Sequence, residues 1–285
     1  MQFLGSCIVL LGALAAVGQA PVVLENGHVR LEIEPRTFSL HFAGFPGGKN
    51  FLDVIHVPAT EIAAAGWLEP GGVTTDLLPE VENSALMRRG PAEVIVSEDH
   101  YLLLMGPMHP ERDWRIKKEY FLTPGRSEVR YKVTVLSPRK EERRAGIRIT
   151  AQVPRNGRLH VPAAPGTLGL LRGDFPDFSG LREAGGDSFA IPVSARDERR
   201  SAVVAVPSSE VTLETDFGRW KRRMEVISEI DGGGSQSPRL LVLLDDPAHR
   251  YQCGLEVVQS GVNVGAPLVV VEHWEFSPPE PGASG

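Results

Sequence analysis

The chain has 285 residues, of which 42% are hydrophobic, so it can bury a full core and fold as one large domain. Its 30 basic and 36 acidic residues give a net charge of −6. That balance argues against a nucleic acid or an anionic membrane as a partner, because both attract basic surfaces.

The first twenty residues form an uncharged apolar stretch that ends in the small-residue triplet Gly18-Gln19-Ala20 before Pro21. This pattern is typical of a cleavable secretory signal, so we expect a secreted or periplasmic protein that begins near Pro21. After Ala20, no apolar run is long enough to span a membrane. If Cys7 leaves with the signal, only Cys253 remains, which excludes an intrachain disulfide.

Short runs rich in Val, Ile and Leu, with polar residues at alternate positions, follow one another along the chain. Each run predicts a β-strand that is buried on one face. The predicted strands are 29–33, 92–97, 116–122, 129–136, 147–153, 189–193, 202–206, 211–215, 224–230, 240–244, 254–258 and 268–276. Because helices are missing between the runs, the sequence predicts an all-β fold, a single large antiparallel sandwich over residues 21–276.

Turn residues separate several of these strands. Asn26-Gly27 predicts a tight hairpin turn, residues 123–126 (Thr-Pro-Gly-Arg) predict a type II-like turn, and the charged residues 137–144 predict a hairpin tip. Only residues 59–65 have helical character. Residues 163–187 and 231–238 predict loops.

The sequence ends in a tail, residues 277–285, which we expect to be disordered. No repeat of fixed period is present, which argues against a propeller or a solenoid.

The sequence lacks the spacings that identify metal sites, catalytic serines and phosphate-binding loops. Its eight histidines never pair at helical or zinc-ligand spacing. We therefore expect no metal and no cofactor, although spatial clustering of distant residues stays open.

Carboxylates close to aromatic rings are the remaining candidates, because sugar sites combine stacking rings with groups that bind hydroxyls. Trp67 and Glu80 lie in a Gly/Pro-rich region, where ordinary loop packing of Trp67 is the alternative. His109, Arg112 and Trp114 lie in a polar cluster for which a solvated hairpin loop is the alternative.

Glu256 is the third candidate, a single carboxylate inside the apolar run 254–258. Alternation places it on the face opposite Leu255 and Val257, so it points away from the core if those two residues are buried. A carboxylate at such a position is either simply outward-facing or a functional acid. On a curved sandwich, an outer concave face can itself form a binding cleft.

Three C-terminal segments resemble the ending of galactose mutarotase-like β-supersandwich proteins: residues 255–258 (Leu-Glu-Val-Val), 264–267 (Val-Gly-Ala-Pro) and 271–276 (Val-Glu-His-Trp-Glu-Phe). The closest subgroup is an uncharacterised domain family similar to aldose 1-epimerases. Residues 25–52 and 117–135 resemble the family's opening hairpins and middle strands. The resemblance covers most of residues 22–276.

The resemblance implies a sugar-binding cleft that contains Glu256, with Trp67, Glu80, Arg112 and Trp114 as binding residues. In aldose 1-epimerases a glutamate on a late strand is the general base, and a histidine in a middle loop, often within Asn-His, is the general acid. Glu256 and His109 would take these two roles. The chain has no Asn-His pair, and Arg36-Thr37 replaces the usual Gly-Gly.

Three functions follow from these observations. The first is an exported carbohydrate-binding protein, which needs rings and hydroxyl-directed polar groups but no matched acid and base. The second is an aldose 1-epimerase-like enzyme that interconverts sugar anomers, with Glu256 removing the anomeric hydroxyl proton. The third is a structural or interaction protein with a vestigial cleft.

Overall fold

A computed structural model of the chain describes residues 20–54, 71–78, 90–110, 112–154, 156–162, 169–172, 188–194, 202–228, 237–244 and 252–279. In these ranges we find no helix that has the length and the hydropathy needed to cross a membrane. The described ranges contain eighteen strands in two nine-stranded sheets, and within each sheet every pair of neighbouring strands is antiparallel. The expected all-β sandwich is confirmed.

The first sheet combines strands from both halves of the chain. They are β1 (Val22–Glu25), β2 (Arg30–Glu34), β3 (Ser39–Gly44), β4 (Val73–Leu78), β9 (Arg143–Gln152), β11 (Gly169–Arg172), β13 (Ala202–Val206), β16 (Arg239–Leu244) and β17 (Gln252–Val262). Across the sheet they run β1-β2-β3-β4-β9-β17-β16-β13-β11.

The second sheet has the same number of strands. They are β5 (Glu93–Glu98), β6 (Tyr101–Met108), β7 (Arg115–Leu122), β8 (Glu128–Leu136), β10 (Asn156–Pro162), β12 (Ser188–Ser194), β14 (Glu210–Thr215), β15 (Gly218–Val226) and β18 (Leu268–Ser277). Across the sheet they run β12-β10-β14-β15-β18-β8-β7-β6-β5.

The core lies between the sheets and is built from alternate residues of their strands. Ile147 and Ile149 of β9 are fully buried on the inner face of the first sheet. Aromatic rings fill the facing side: Tyr131 of β8 lies 5.1 Å from Trp274 of β18, and Trp220 of β15 meets Trp274 edge-on at 5.5 Å. Burial of an apolar side chain of this size contributes roughly 1.5–3 kcal/mol to stability.

Two of the three predicted turns are confirmed. Asn26-Gly27 joins β1 to β2, and residues 123–126 join β7 to β8 with Arg126 N–H donating to Thr123 O at 3.1 Å. Gly27 has a φ of 81° and Gly125 a φ of 68°, which explains the glycine at each turn. The predicted hairpin tip at 137–144 is wrong, because β8 and β9 lie in different sheets and the segment between them crosses the sandwich.

Other boundaries also differ from the prediction. Strand β15 begins at Gly218 rather than at 224, and the expected loop 163–187 contains β11. Ser277 still pairs with Arg219, so the last strand extends one residue into the expected tail. The signal segment before Ala20, the helical segment 59–65 and residues 280–285 lie outside the described residues.

Candidate functional site

Four charged residues of alternating sign lie side by side across the middle of the first sheet. In the strand register, Asp76 of β4 pairs with Arg148 of β9, Arg148 pairs with Glu256 of β17, and Glu256 pairs with Arg239 of β16. Each of these strands contributes one residue, so the set, here called the charged row, spans four neighbouring strands. Residues on adjacent strands are about 4.5–5.5 Å apart at Cβ, within reach of direct ion pairs.

The charged row lies on the outer face of the first sheet. Leu255 and Val257, on either side of Glu256, are buried in the core, so alternation directs Glu256 away from it, as the sequence predicts. Glu256 is nevertheless fully buried, and Asp76 is only 3% exposed. Buried charges are stable only when they are paired. This part of the outer face therefore consists of charged side chains shielded from solvent rather than of solvated surface residues.

Glu256 accepts a hydrogen bond from an arginine at each carboxylate oxygen. Arg148 Nε donates to Oε2 at 2.7 Å, and Arg239 Nε donates to Oε1. The Arg148 side chain is 21% exposed and that of Arg239 is 54% exposed. Glu256 is also fully buried, so a ligand could reach its carboxylate only after one arginine moves, and Arg239 is the more exposed of the two.

The neighbouring row on the same face consists of small and hydroxyl-bearing residues. Thr74 of β4 pairs with Thr150 of β9, which pairs with Gly254 of β17. A Cβ on Gly254 would approach Arg148 Cγ and Thr150 Oγ1 to 3.2 Å. The absence of a side chain at Gly254 therefore leaves the space through which Arg148 reaches Glu256.

A cluster of hydroxyls and one imidazole continues this face toward the edge of the sheet. Leu40 of β3 is buried in the core and pairs with Val73, so Ser39 and His41 on either side of it lie on the outer face. Ser39 Oγ lies 2.9 Å from His41 Nε2 and 2.6 Å from Thr37 Oγ1. These groups are hydrogen-bonding partners of the kind that sugar hydroxyls require.

A second buried carboxylate borders that cluster. Glu34 is 4% exposed, and both of its oxygens accept hydrogen bonds from Arg36, at 2.8 and 2.6 Å. Burial opposes ionisation of Glu34, but the hydrogen bonds and charge of Arg36 hold its pKa below the usual value. Glu34 is therefore ionised at neutral pH and adds negative charge next to His41.

Lys118 approaches the same region from inside the sandwich. It lies on β7 of the second sheet, is fully buried, donates to Phe38 O at 2.6 Å and has its Nζ 3.8 Å from the Phe38 ring centroid. Burial lowers the pKa of Lys118 to about 7, and the charge of Asp76 opposes that shift. The backbone just before Ser39 is thus bound, from the core side, by the amine of Lys118, whose pKa is near neutrality.

His109, Arg112 and Trp114 lie together, but in the connection between β6 and β7 of the second sheet. His109 N–H donates to Trp114 O at 2.7 Å, and His109 Nδ1 accepts from Arg112 N–H at 3.2 Å. The Arg112 guanidinium lies 5.2 Å from the centroid of the Trp114 ring. His109 is fully buried and Trp114 is 1% exposed, so this connection is packed rather than solvated.

The structure therefore places Glu256 and His109 on different sheets with different partners. Trp114 cannot stack on a ligand in this conformation, because its ring is already buried. Trp67 and Glu80, the other two candidates, lie outside the described residues.

Sequence reasoning missed Asp76, Arg148 and Arg239 as functional candidates. Arg148 carries the same signal as Glu256, a charged residue between two core residues, here Ile147 and Ile149. The pairing itself depends on strand order, which alternation does not give. In the ranges that the structure describes, no three His, Cys, Asp or Glu side chains are arranged to hold a metal ion.

The sequence matches no protein-family model and no curated protein. Solved structures do match. A candidate aldose 1-epimerase from Escherichia coli K12 has a TM-score of 0.62 at 12% identity, over 92% of this chain and 100% of that chain. A galactose mutarotase-like protein from Clostridium acetobutylicum has a TM-score of 0.56 at 10% identity, over 91% of this chain and 95% of that chain.

A galactose mutarotase related enzyme from Lactobacillus acidophilus matches with a TM-score of 0.55 at 12% identity, over 90% of this chain and 97% of that chain. Structural matches at sequence identities this low show the fold alone and leave the activity open. The two large antiparallel sheets and these matches together show that the chain has the galactose mutarotase-like β-sandwich fold.

Proposed function

We propose that this protein binds a carbohydrate on the outer face of the first sheet, at the charged row. The observation that carries the proposal is the row itself: Asp76, Arg148, Glu256 and Arg239 in register across four central strands. Carboxylates accept hydrogen bonds from sugar hydroxyls, and guanidinium groups donate to sugar oxygens. Rigid strands hold these groups in place, which lowers the entropic cost of binding.

The groups around the charged row extend the same chemistry. Thr74 and Thr150 lie in the adjacent row, and Ser39 with His41 lie further toward the sheet edge. Thr74, Thr150 and Ser39 are buried and His41 is half-buried, so they add hydroxyl and imidazole groups to the wall beside the alternating charges, the mixture that a polyhydroxylated ligand needs.

Binding fits the geometry better than catalysis does. General acid–base work on an anomeric centre needs a carboxylate that is available to take a proton and an acid within reach of the same ligand. Both oxygens of Glu256 are engaged by arginines, and His109 lies in a connection of the other sheet. An aldose 1-epimerase activity is the second candidate, and the position of Glu256 on a late central strand favours it.

One experiment separates these functions. Freshly dissolved single anomers of D-galactose and D-glucose, and lactose, are followed by proton NMR with and without protein, and both saturation transfer and anomer exchange are recorded. We expect saturation transfer without faster exchange. Glu256→Gln and Arg148→Met should lose the saturation transfer, because each breaks the charged row. Glu98→Gln, which changes an exposed carboxylate on β5 of the other sheet, should keep it.

Each other outcome identifies a different function. Faster anomer exchange that disappears in Glu256→Gln would make the protein an epimerase. Binding that survives both charged-row substitutions would place the sugar elsewhere. No response to any of these sugars would overturn the proposal and favour a structural or interaction protein.

We also propose that the protein acts outside the cytoplasm, as a secreted or periplasmic protein. Support comes from the uncharged apolar stretch of residues 1–20 and its small-residue ending before Pro21.

A further inference from the structure

The outer face of the second sheet carries a row of a different kind. Tyr101 of β6 pairs with Phe121 of β7, Phe121 pairs with Arg130 of β8, Arg130 pairs with His273 of β18, and His273 pairs with Arg223 of β15. These five residues, here called the aromatic-basic row, cross five neighbouring strands. At the usual strand spacing the row is about 19 Å long.

The aromatic end of this row is open to a ligand. Phe121 is 41% exposed on a face where its neighbours along the strand, Lys117 and Glu119, are charged. A pocket lies over it, lined by Tyr101, Glu119, Phe121, Arg130 and Lys132, with a volume of about 250 Å³. An exposed ring at the floor of a shallow pocket can stack on the apolar face of a sugar.

Glu119 and its partners make the pocket rigid. Tyr101 Oη donates to Glu119 Oε1 at 2.9 Å, and Lys117 and Lys132 lie 3.0 and 3.2 Å from Glu119 Oε2. Burial opposes ionisation of Glu119, but these hydrogen bonds and charges hold its pKa below the usual value. The three donors are therefore used within the protein, and Glu119 is neutralised by two lysines.

The guanidinium groups of the aromatic-basic row, unlike the lysines around Glu119, are not paired with a carboxylate in the described part of the chain. Arg130 and Arg223 are exposed, and neither takes part in an ion pair with another residue in the described ranges. His273, between them, lies 3.3 Å from Glu225. The basic end of the row thus presents two guanidinium groups whose ordinary partners are carboxylates, which they bind with paired hydrogen bonds.

We propose that the aromatic-basic row is a second carbohydrate site, which binds an acidic oligosaccharide of uronic acid units. A sugar ring stacks on Phe121 and the carboxylates of neighbouring units pair with Arg130 and Arg223. The site is on the opposite side of the molecule from the charged row, so it does not depend on the function proposed for that row.

The test uses isothermal titration calorimetry with a short oligogalacturonate and with the matching neutral oligogalactoside. We expect the acidic oligomer to bind and the neutral one to bind at least about tenfold more weakly. Because the attraction is between exposed charges, affinity for the acidic oligomer should fall steeply between about 0.15 M and about 1 M salt.

Variants with matched controls locate the site. Phe121→Ala and Arg130→Gln should each weaken binding of the acidic oligomer about tenfold. Ile227→Ala removes an apolar side chain that is also 41% exposed, and Arg158→Gln removes an exposed arginine on β10, the strand next to the sheet edge; both should bind as the parent does. Glu256→Gln should also leave binding unchanged, which separates this site from the charged row.

Three results would overturn the proposal. Equal affinity for the acidic and neutral oligomers would remove the role of the arginines. Equal loss in Phe121→Ala and Ile227→Ala would show that the effect is not local. Absence of any binding in the parent protein at low salt would leave the aromatic-basic row without this ligand.

Discussion

Arg222 and Glu272 form a two-pronged ion pair in the space between the sheets. Arg222 Nε donates to Glu272 Oε2 at 3.0 Å and Arg222 Nη2 donates to Oε1 at 2.8 Å, and neither side chain is more than 1% exposed. Arg222 also donates to Ile149 O at 3.0 Å and to Cys253 O at 3.2 Å in the other sheet. Trp274 Nε1 donates to Glu272 Oε2 at 2.6 Å. The pair therefore links the central strands of both sheets.

Removing one member of this pair should be costly. Arg222→Met leaves Glu272 charged and buried without its partner, so we expect the free energy of unfolding to fall by about 3–5 kcal/mol. Urea denaturation followed by tryptophan fluorescence measures it. Arg219→Met, on the outer face of the same strand, should cost at most about 1 kcal/mol. Similar losses for the two variants would show that the buried pair has no special role.

Two glycines with similar backbone angles should respond very differently to alanine. Gly72 has a φ of 78° and Gly27 a φ of 81°. A Cβ on Gly72 would lie 1.9 Å from Leu40 O, whereas a Cβ on Gly27 would have no atom within 4 Å. Gly27→Ala should cost about 1 kcal/mol from backbone strain alone, and Gly72→Ala several kcal/mol more, or fail to fold.

Thermal denaturation of both glycine variants measures the difference. Comparable melting temperatures would mean that β3 and β4 can separate at Leu40 without loss, contrary to the contact that the structure shows.

Lys118 should make stability depend on pH around neutrality. The pKa of Lys118 is about 7 in the folded protein, against the ordinary 10.5. Between those values the unfolded chain binds more protons than the folded one, so the stability of the parent rises with pH across this window, and the penalty is fully present below pH 7. This single group contributes at most roughly 1.4 kcal/mol per pH unit.

Lys118→Met removes this contribution. Urea denaturation of parent and variant at several pH values should show the variant gaining on the parent as the pH falls from 10 toward 7. Lys117→Met, one position away with a side chain 25% exposed, is the control and should show no such trend. Parallel curves for the parent and Lys118→Met would mean that Lys118 titrates normally.

Export should remove the first twenty residues. Expressed with its own N-terminus in a secreting bacterial host, the protein should be recovered outside the cytoplasm with a chain that starts near Pro21. Intact-mass spectrometry of the purified protein checks the cleavage point. Leu10→Arg interrupts the apolar stretch and should retain the uncleaved chain in the cytoplasm, whereas Val22→Thr, just past the cleavage point, should not. Recovery of the full-length parent chain in the cytoplasm would contradict the proposal.

Local patterns predicted much of the fold because the relevant physics is local. The glycines at 27 and 125 were sufficient to identify two hairpins, and alternation around Glu256 gave its outward orientation. Strand β4, residues 73–78, escaped prediction because three polar residues, Thr74, Thr75 and Asp76, follow one another in its middle, so apolar and polar positions do not alternate regularly along it.

The site was harder to predict because its residues meet through strand order. Residues 76, 148, 239 and 256 become neighbours only when β4, β9, β17 and β16 lie side by side. The delayed start predicted for β15 has a related cause: Arg219, Lys221 and Arg222 suggest a solvated segment, yet Arg222 is buried through a pairing with a residue fifty positions away. The periodicity of a single sequence reports which face of a strand a residue lies on and does not identify a partner so distant in the chain.

The last two strands occupy the middle of the molecule. Strand β17 lies between β9 and β16 in one sheet, and β18 lies between β15 and β8 in the other. Until residues 252–277 leave the ribosome, each sheet consists of two separate groups of strands whose inner edges have no partner. Neither sheet is therefore complete until these two central strands have been made and have joined its two groups of strands.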